Sequence, residues 1–288
     1  MNIKAYVEMI NLAKDNDTKS VLLKQAELLI KQEKLKLKLE VKNNIVTVID
    51  LSESTDAWLE RFITANATMQ KLKSDVRLLA PLDDPVLVVG PTGTGKEIIA
   101  RALHGEREGK FVAINCAGLP EQLVESLMFG HIQGSFTGAS KTTNGLMASA
   151  KNGTFFLDEV GELPMSMQGK FLRALQEKKI RKLGSEDSED INCRIVCATN
   201  KNLKEMVKEK QFRLDLLARI TTFELFTTSL DQRPEDIEEI LNYLDSSFVK
   251  AWNETDPKCP IDRINIEYNV RSLQQHIKRY QVFKRLPK

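Results

Sequence analysis

Cysteine is scarce in this chain. Four in 288 residues are too few for a disulfide framework. Cys193 and Cys197 bracket the run Cys193-Arg194-Ile195-Val196-Cys197, which reads as a buried strand. No further pair of ligands stands at zinc spacing, so these thiols read as small core residues. Long hydrophobic runs are missing as well: nothing approaches the ~18 consecutive apolar residues of a membrane-spanning helix. The first residues, Met1-Asn2-Ile3-Lys4-Ala5, lack the apolar core of a secretory signal. A reducing, cytoplasmic setting is the expectation. Internal repeats and low-complexity tracts are absent too, and the composition, 42% hydrophobic and 28% charged, is that of a globular protein.

A strong charge bias is also missing, since the net charge is +2. The charge is uneven, however. Residues 271–288 hold six Lys/Arg and no acid, while residues 51–270 hold 27 basic against 33 acidic side chains. The body is therefore no nucleic-acid surface on charge alone. The basic tail reads as solvated, with a weak phosphate or DNA contact as the alternative.

Three stretches are distinguished by their periodicity. Residues 1–52 combine a helical period over 3–33, broken near Asp15-Asn16-Asp17-Thr18 with Thr18 as a candidate cap, with strict alternation from Lys34 to Val41. Asn43-Asn44 and Ile45–Ile49 complete a β-hairpin pattern. A lone hairpin is marginal in water, so this segment is expected to pack on the rest of the chain or on a neighbour; it carries no recognisable chemistry. Residues 53–229 begin with a helical stretch over 56–79. Candidate strands then follow at Val86–Val89, Phe111–Asn115, Thr154–Leu157, Arg194–Ala198 and Thr222–Phe226, with helices between them. Continuous apolar strands alternating with helices predict an α/β sandwich around a parallel sheet. Residues 230–288 read as a small helical lid ending in the basic tail.

The chemistry lies in the middle stretch. Gly90-Pro91-Thr92-Gly93-Thr94-Gly95-Lys96 follows a predicted strand and opens a predicted helix, the context that a phosphate-binding loop requires. Glycines allow successive N–H groups to aim inward, the helix N-terminus adds favourable dipole charge, and Lys96 reaches the terminal phosphates. Glu97 stands where a hydroxyl ligand for Mg²⁺ is usual, so the metal is expected to depend on phosphates, water and a second acidic motif. Phe155-Phe156-Leu157-Asp158-Glu159 supplies that motif: an apolar strand ending in two carboxylates. Asp158 is placed to hold Mg²⁺ through water, and Glu159 to orient or deprotonate an attacking water. Together the two motifs predict ATP binding and hydrolysis.

From about Asn66 to Asp236 the chain resembles the AAA+ core of sigma-54-dependent transcription activators, the bacterial enhancer-binding proteins. The resemblance rests on Gly93-Thr94-Gly95-Lys96-Glu97, in which Glu97 is the family's own variant. It continues through Phe111–Ala117, Glu125–His131, Gly134-Ser135-Phe136-Thr137-Gly138-Ala139, Gly153–Leu163, Ala198-Thr199-Asn200 and Phe212-Arg213-Leu214-Asp215. The hexapeptide at 134–139 is the most diagnostic; the family form is Gly-Ala-Phe-Thr-Gly-Ala, and Ser135 stands in second place here.

The resemblance implies a P-loop ATPase with Mg²⁺ that forms a homo-oligomeric ring, typically a hexamer. In such rings the hexapeptide loops contact sigma-54, and hydrolysis remodels the closed RNA polymerase–promoter complex. It also implies roles for single residues. Asn115 resembles the residue that hydrogen-bonds the water-activating glutamate, and Asn200 the γ-phosphate sensor. Arg213 and Arg219 resemble arginine fingers reaching a neighbour's nucleotide, surface ion pairs being the plainer alternative. Arg271 resembles the lid arginine that contacts ATP in cis. Around Arg271 the sequence departs from the family: Ile266-Glu267-Tyr268 replaces Trp-Pro-Gly, and Ser272 replaces Glu. No helix-turn-helix DNA-binding domain is expected after Ile277 for want of residues. Two alternatives stay open: an AAA+ remodeller of another protein, and a non-catalytic ATP-binding assembly subunit.

Overall fold

The computed structural model describes residues 3–13, 16–32, 37–42, 45–50, 54–136, 139–255 and 264–283. The N-terminal stretch forms α1 (Ile3–Leu12), α2 (Asn16–Gln32) and the antiparallel strands β1 (Leu37–Lys42) and β2 (Ile45–Asp50), with Lys42 opposite Ile45. Both helices pack against this hairpin, which meets its need for a covering layer. Helix α2 starts at Asn16, so Thr18 lies in its first turn and not at the cap. The Asn43-Asn44 turn falls outside the described residues.

The expected helix over 56–79 is two helices, α3 (Thr55–Arg61) and α4 (Ala67–Leu79). The break has a long-range cause. The buried Asp236 carboxylate accepts hydrogen bonds from the Thr64 hydroxyl at 2.6 Å and from the Ala65 and Asn66 N–H groups at 2.7 and 3.2 Å. Asn66 then caps α4 through its side chain. Asp236 also pairs with the buried Arg233 at 2.9 Å, so its charge is compensated.

The central stretch runs β3 (Val86–Val89), α5 (Lys96–His104), β4 (Phe111–Asn115), α6 (Glu121–Phe129), β5 (Gly130–His131), β6 (Thr143–Asn144), α7 (Leu146–Ser149), β7 (Thr154–Asp158), α8 (Met165–Glu177), β8 (Lys179–Arg181), β9 (Ser188–Asp190), β10 (Arg194–Thr199), α9 (Leu203–Lys208), α10 (Leu214–Ile220) and β11 (Phe223–Phe226). Five strands form a parallel sheet in the order β11-β3-β10-β7-β4. Each apolar strand feeds two cores by the two-residue period of its side chains. Leu87, Phe155, Leu157, Ile195 and Cys197 face α6, α8 and α10. Val86, Val88, Phe156, Val196 and Ala198 face α3, α4 and α5. The predicted α/β sandwich is the observed fold, with all five strands where the sequence placed them, to within one residue at either end.

Two further helices follow, α11 (Glu235–Thr255) and α12 (Val270–Phe283), around a core of their own that includes Leu230, Leu241, Phe248 and Leu273. Helix α11 is interrupted at Asp245, whose backbone is extended and whose carboxylate caps Ser247 and Phe248.

At the N-terminal ends of the strands, Arg194 is 2% exposed and forms no ion pair among the described residues. Its guanidinium donates to the carbonyls of Leu79, Ala80 and Leu103, at the C-terminal ends of α4 and α5, and to that of Asp84 in the loop before β3. The negative ends of two helices thus solvate a buried cation, although burial still pushes its pKa down to about 10. Arg194→Met should lower stability by roughly 2–3 kcal/mol through unpaired buried carbonyls, read as a lower thermal midpoint. An unchanged midpoint would remove this network from the interactions that hold the fold.

Candidate functional site

A parallel sheet gathers its strand C-termini on one edge, and the crevice lies where the strand order reverses. Here that is the end of β3. The ladder continues one residue past it: Gly90 N–H donates to the Thr199 carbonyl, and Thr227 N–H to the Val89 carbonyl. A Cβ at Gly90 would lie 2.0 Å from Thr227 Oγ1, so the position admits no side chain. Gly95 caps α5 at φ 98°, in the left-handed region, with the Phe62 ring against it.

The loop encloses one side of a cavity of about 650 Å³, lined by Thr92 to Ile98, Asn115, Asp158, Glu159 and Arg271, with Phe62, Ile63, Ile240 and Leu244 supplying apolar wall. Lys96 is buried. Its Nζ donates to the carbonyls of Gly90 at 2.9 Å and Pro91 at 3.2 Å and lies 3.8 Å from Glu159 Oε1. Burial lowers its pKa; the carboxylates of Glu159 and Asp158 oppose this, and Arg271 adds to it. Asp158 lies beside Asn115 in the pairing of β7 with β4. Burial raises its carboxyl pKa, against the Lys96 charge, the Glu159 N–H and the Asn115 amide. Glu159 has a left-handed backbone, φ 52° and ψ 53°, and its Oε2 accepts from the Asn200 N–H at 3.2 Å. Asn200 Nδ2 donates to Thr92 Oγ1 at 3.1 Å.

A cationic, N–H-rich loop thus faces a carboxylate pair across a crevice large enough for a nucleotide. A family model described as the sigma-54 interaction domain matches residues 62–226. The chain belongs to the sigma-54 interaction domain family. It is 42% identical over 228 residues to the transcriptional regulatory protein GlrR of Escherichia coli (strain K12), covering 76% of this chain and 51% of that protein. With the formate hydrogenlyase transcriptional activator FhlA of the same organism it shares 35% identity over 257 residues, 86% of this chain and 37% of that one. The chain therefore spans about half or less of the length of these relatives. Among solved structures it is similar to NtrX from Brucella abortus in complex with ADP, with a TM-score of 0.67 at 24% identity over 94% of this chain and 57% of that one. That likeness is one of fold, the AAA+ α/β fold.

The structure brings most of the expected residues of this sigma-54 interaction domain together and separates others. Gly93 to Glu97, Thr92, Asn115, Asp158, Glu159 and Arg271 line the cavity, and Asn200 joins through Thr92. Glu97 also pairs with Arg101 along α5. Asn115 donates to Asp158 Oδ2 at 2.9 Å, so the expected bond to Glu159 is replaced by one to its neighbour, its partner in strand register. Arg213 and Arg219 do not line the cavity. Arg213 forms a two-pronged pair with Asp215, and Arg219 reaches the Leu175 carbonyl near the opposite end of the sheet.

In the hexapeptide, Gly134 N–H donates to the Ala139 carbonyl, and the 37% exposed Phe136 meets His131 edge to face at 5.0 Å. Ser135 Oγ is buried with no hydrogen-bond partner among the described residues, whereas Thr137 and Gly138 fall outside them.

Sequence reasoning missed Thr227, Phe62 and Asn269, which shape the loop from a distance. For the last, the place two residues before Arg271 is the one signal in the sequence.

The Asn115 bond holds the Asp158 carboxyl down, so Asn115→Ala should raise its pKa further. Carboxyl-carbon NMR titration of the two proteins checks this; an unmoved or lowered Asp158 midpoint would contradict the bond.

Proposed function

We propose that this chain is the ATP-hydrolysing AAA+ subunit of a homo-oligomeric, hexameric ring that remodels sigma-54 RNA polymerase in the cytoplasm. It comprises an N-terminal helix and hairpin segment with no assigned role (1–52), the ATPase core (53–229) and a helical lid (230–288) whose basic tail is available for weak DNA contact. The observation that carries the reading is the convergence of Lys96, Asp158 and Glu159 on one cavity beneath a phosphate-type loop.

ATP fits this crevice as substrate. Its triphosphate would lie along the N–H groups of residues 92–96 at the start of α5, where the helix dipole favours negative charge. Lys96 would exchange its loop carbonyls for phosphate oxygens, an exchange favoured because a buried ammonium gains more from a charged acceptor than from a neutral one. The apolar wall suits a purine base. Asp158 is the carboxylate that would hold Mg²⁺, and the ion would neutralise phosphate charge when bound. Glu159 is the base or orienting group for the attacking water, and Asn200 connects it to Thr92 in the loop.

Arg213 and Arg219 lie outside their own cavity, a placement that suits action on a neighbour's nucleotide. The Arg213–Asp215 pair is exposed, so releasing it for such a role costs little. The half-exposed Phe136 supplies the apolar anchor for sigma-54.

Two measurements test the reading. Glu159→Gln should keep ATP binding but lose turnover by about 10²-fold or more, judged by nucleotide titration beside phosphate release; near-normal turnover would remove Glu159 from its role. Phe136→Ala should hydrolyse ATP like the unaltered protein yet lose capture of sigma-54 in ADP and aluminium fluoride by roughly thirtyfold in affinity. An unaltered protein that hydrolyses ATP but never captures sigma-54 would point the ring at another protein.

A further inference from the structure

One buried side chain outside the hydrolytic groups ties three parts of the molecule together. Asn269 is 5% exposed and sits at φ 56°, in the left-handed region that asparagine tolerates better than most residues with a Cβ. Its Nδ2 donates to the Thr92 carbonyl at 2.9 Å, and its Oδ1 accepts from the Leu230 N–H at 2.6 Å. The next N–H, that of Val270, donates to the Gly93 carbonyl at 3.1 Å. The approach is tight: a Cβ on Gly93 would lie 2.2 Å from the Tyr268 carbonyl oxygen. On its other side, the Thr92 hydroxyl takes the Asn200 amide, and the Asn200 N–H reaches Glu159. An unbroken chain of hydrogen bonds therefore runs from Glu159 through Asn200, Thr92 and Asn269 to Leu230.

We infer that Asn269 is a positioning residue for hydrolysis, latching the first turn of α12 to the phosphate loop so that Arg271 stands over the cavity. The inference rests on the ATP-hydrolysis reading above. The side chain has to donate at one end and accept at the other, which an amide does and a carboxylate does not. Arg271 follows two residues later and lines the cavity close enough for its charge to be felt at Lys96. The latch fixes where that charge stands. Because Thr92 accepts Asn200 on its hydroxyl and Asn269 on its carbonyl, a shift of the loop on nucleotide binding moves both bonds together. The start of the helical stretch at Leu230 is thereby coupled to the end of the site that holds Glu159.

Asn269→Gly keeps the left-handed backbone and deletes both side-chain bonds. It should raise the KM for ATP about tenfold, the scale of a lost buried hydrogen bond. Adding Arg271→Ala to it should cost no more than about twofold beyond Arg271→Ala alone, because both changes act through one placement. Losses that multiply, or an unchanged KM in a folded Asn269→Gly protein, would overturn the inference. If Asn269→Gly does not fold, Asn269→Asp gives the same reading, since it keeps the acceptor for Leu230 and loses only the donor to Thr92.

Hydrogen exchange without nucleotide judges the latch separately. The Leu230 and Val270 amides should exchange at least about tenfold faster in Asn269→Gly, and unchanged exchange would refute the latch even if ATP kinetics shift. An unaltered protein that does not hydrolyse ATP overturns the hydrolysis reading, and with it the catalytic part of this one.

Discussion

The site depends on the way β3 is held between β10 and β11. Backbone pairing runs one residue beyond the strand on both sides, through Gly90 to Thr199 and Thr227 to Val89. The phosphate-type loop therefore leaves the sheet from a fixed point, with no room for a side chain at its first residue. Since β7 lies beyond β10, the same ladder sets the distance from the loop to Asp158 and Glu159. A slip of one residue in β3 would turn Val86 and Val88 to the wrong core and withdraw the loop from the carboxylates.

What was legible in the sequence was local. A run such as Val86-Leu87-Val88-Val89 before a glycine-rich loop carries its own strand, turn and helix signals, and the five parallel strands fell where these signals placed them. Asn115 and Asp158, which line the cavity, were legible for the same reason, each ending a readable strand. What escaped was set by partners far along the chain. The break between α3 and α4 is fixed by Asp236, some 170 residues away, and within 56–79 only the capping Asn66 marks it. Asn115 was expected to serve Glu159 but bonds Asp158, because strand register sets Asn115 and Asp158 side by side while the backbone of Glu159 turns away.

The two ends of the sheet divide the work. At the C-terminal ends the polar groups face a cavity and are only partly satisfied by one another. At the N-terminal ends Arg194 donates to carbonyls at the ends of α4 and α5, and Arg107 donates to the Ala80, Leu103 and His104 carbonyls and pairs with Asp83. Groups that line a cavity are thus kept apart from groups held by backbone carbonyls.

The left-handed backbone of Glu159 sets a narrow bargain at one position. Glycine would accept that conformation most readily but brings no carboxylate; asparagine accepts it well but offers no base. Aspartate is the comfortable acid, yet it is one methylene too short to reach both Lys96 and the Asn200 N–H as glutamate does. The residue that the proposed chemistry calls for is thus not the one that suits the chain. Substitutions here can make the fold more comfortable while breaking the contacts to Lys96 and Asn200, so stability alone is a misleading guide to this position.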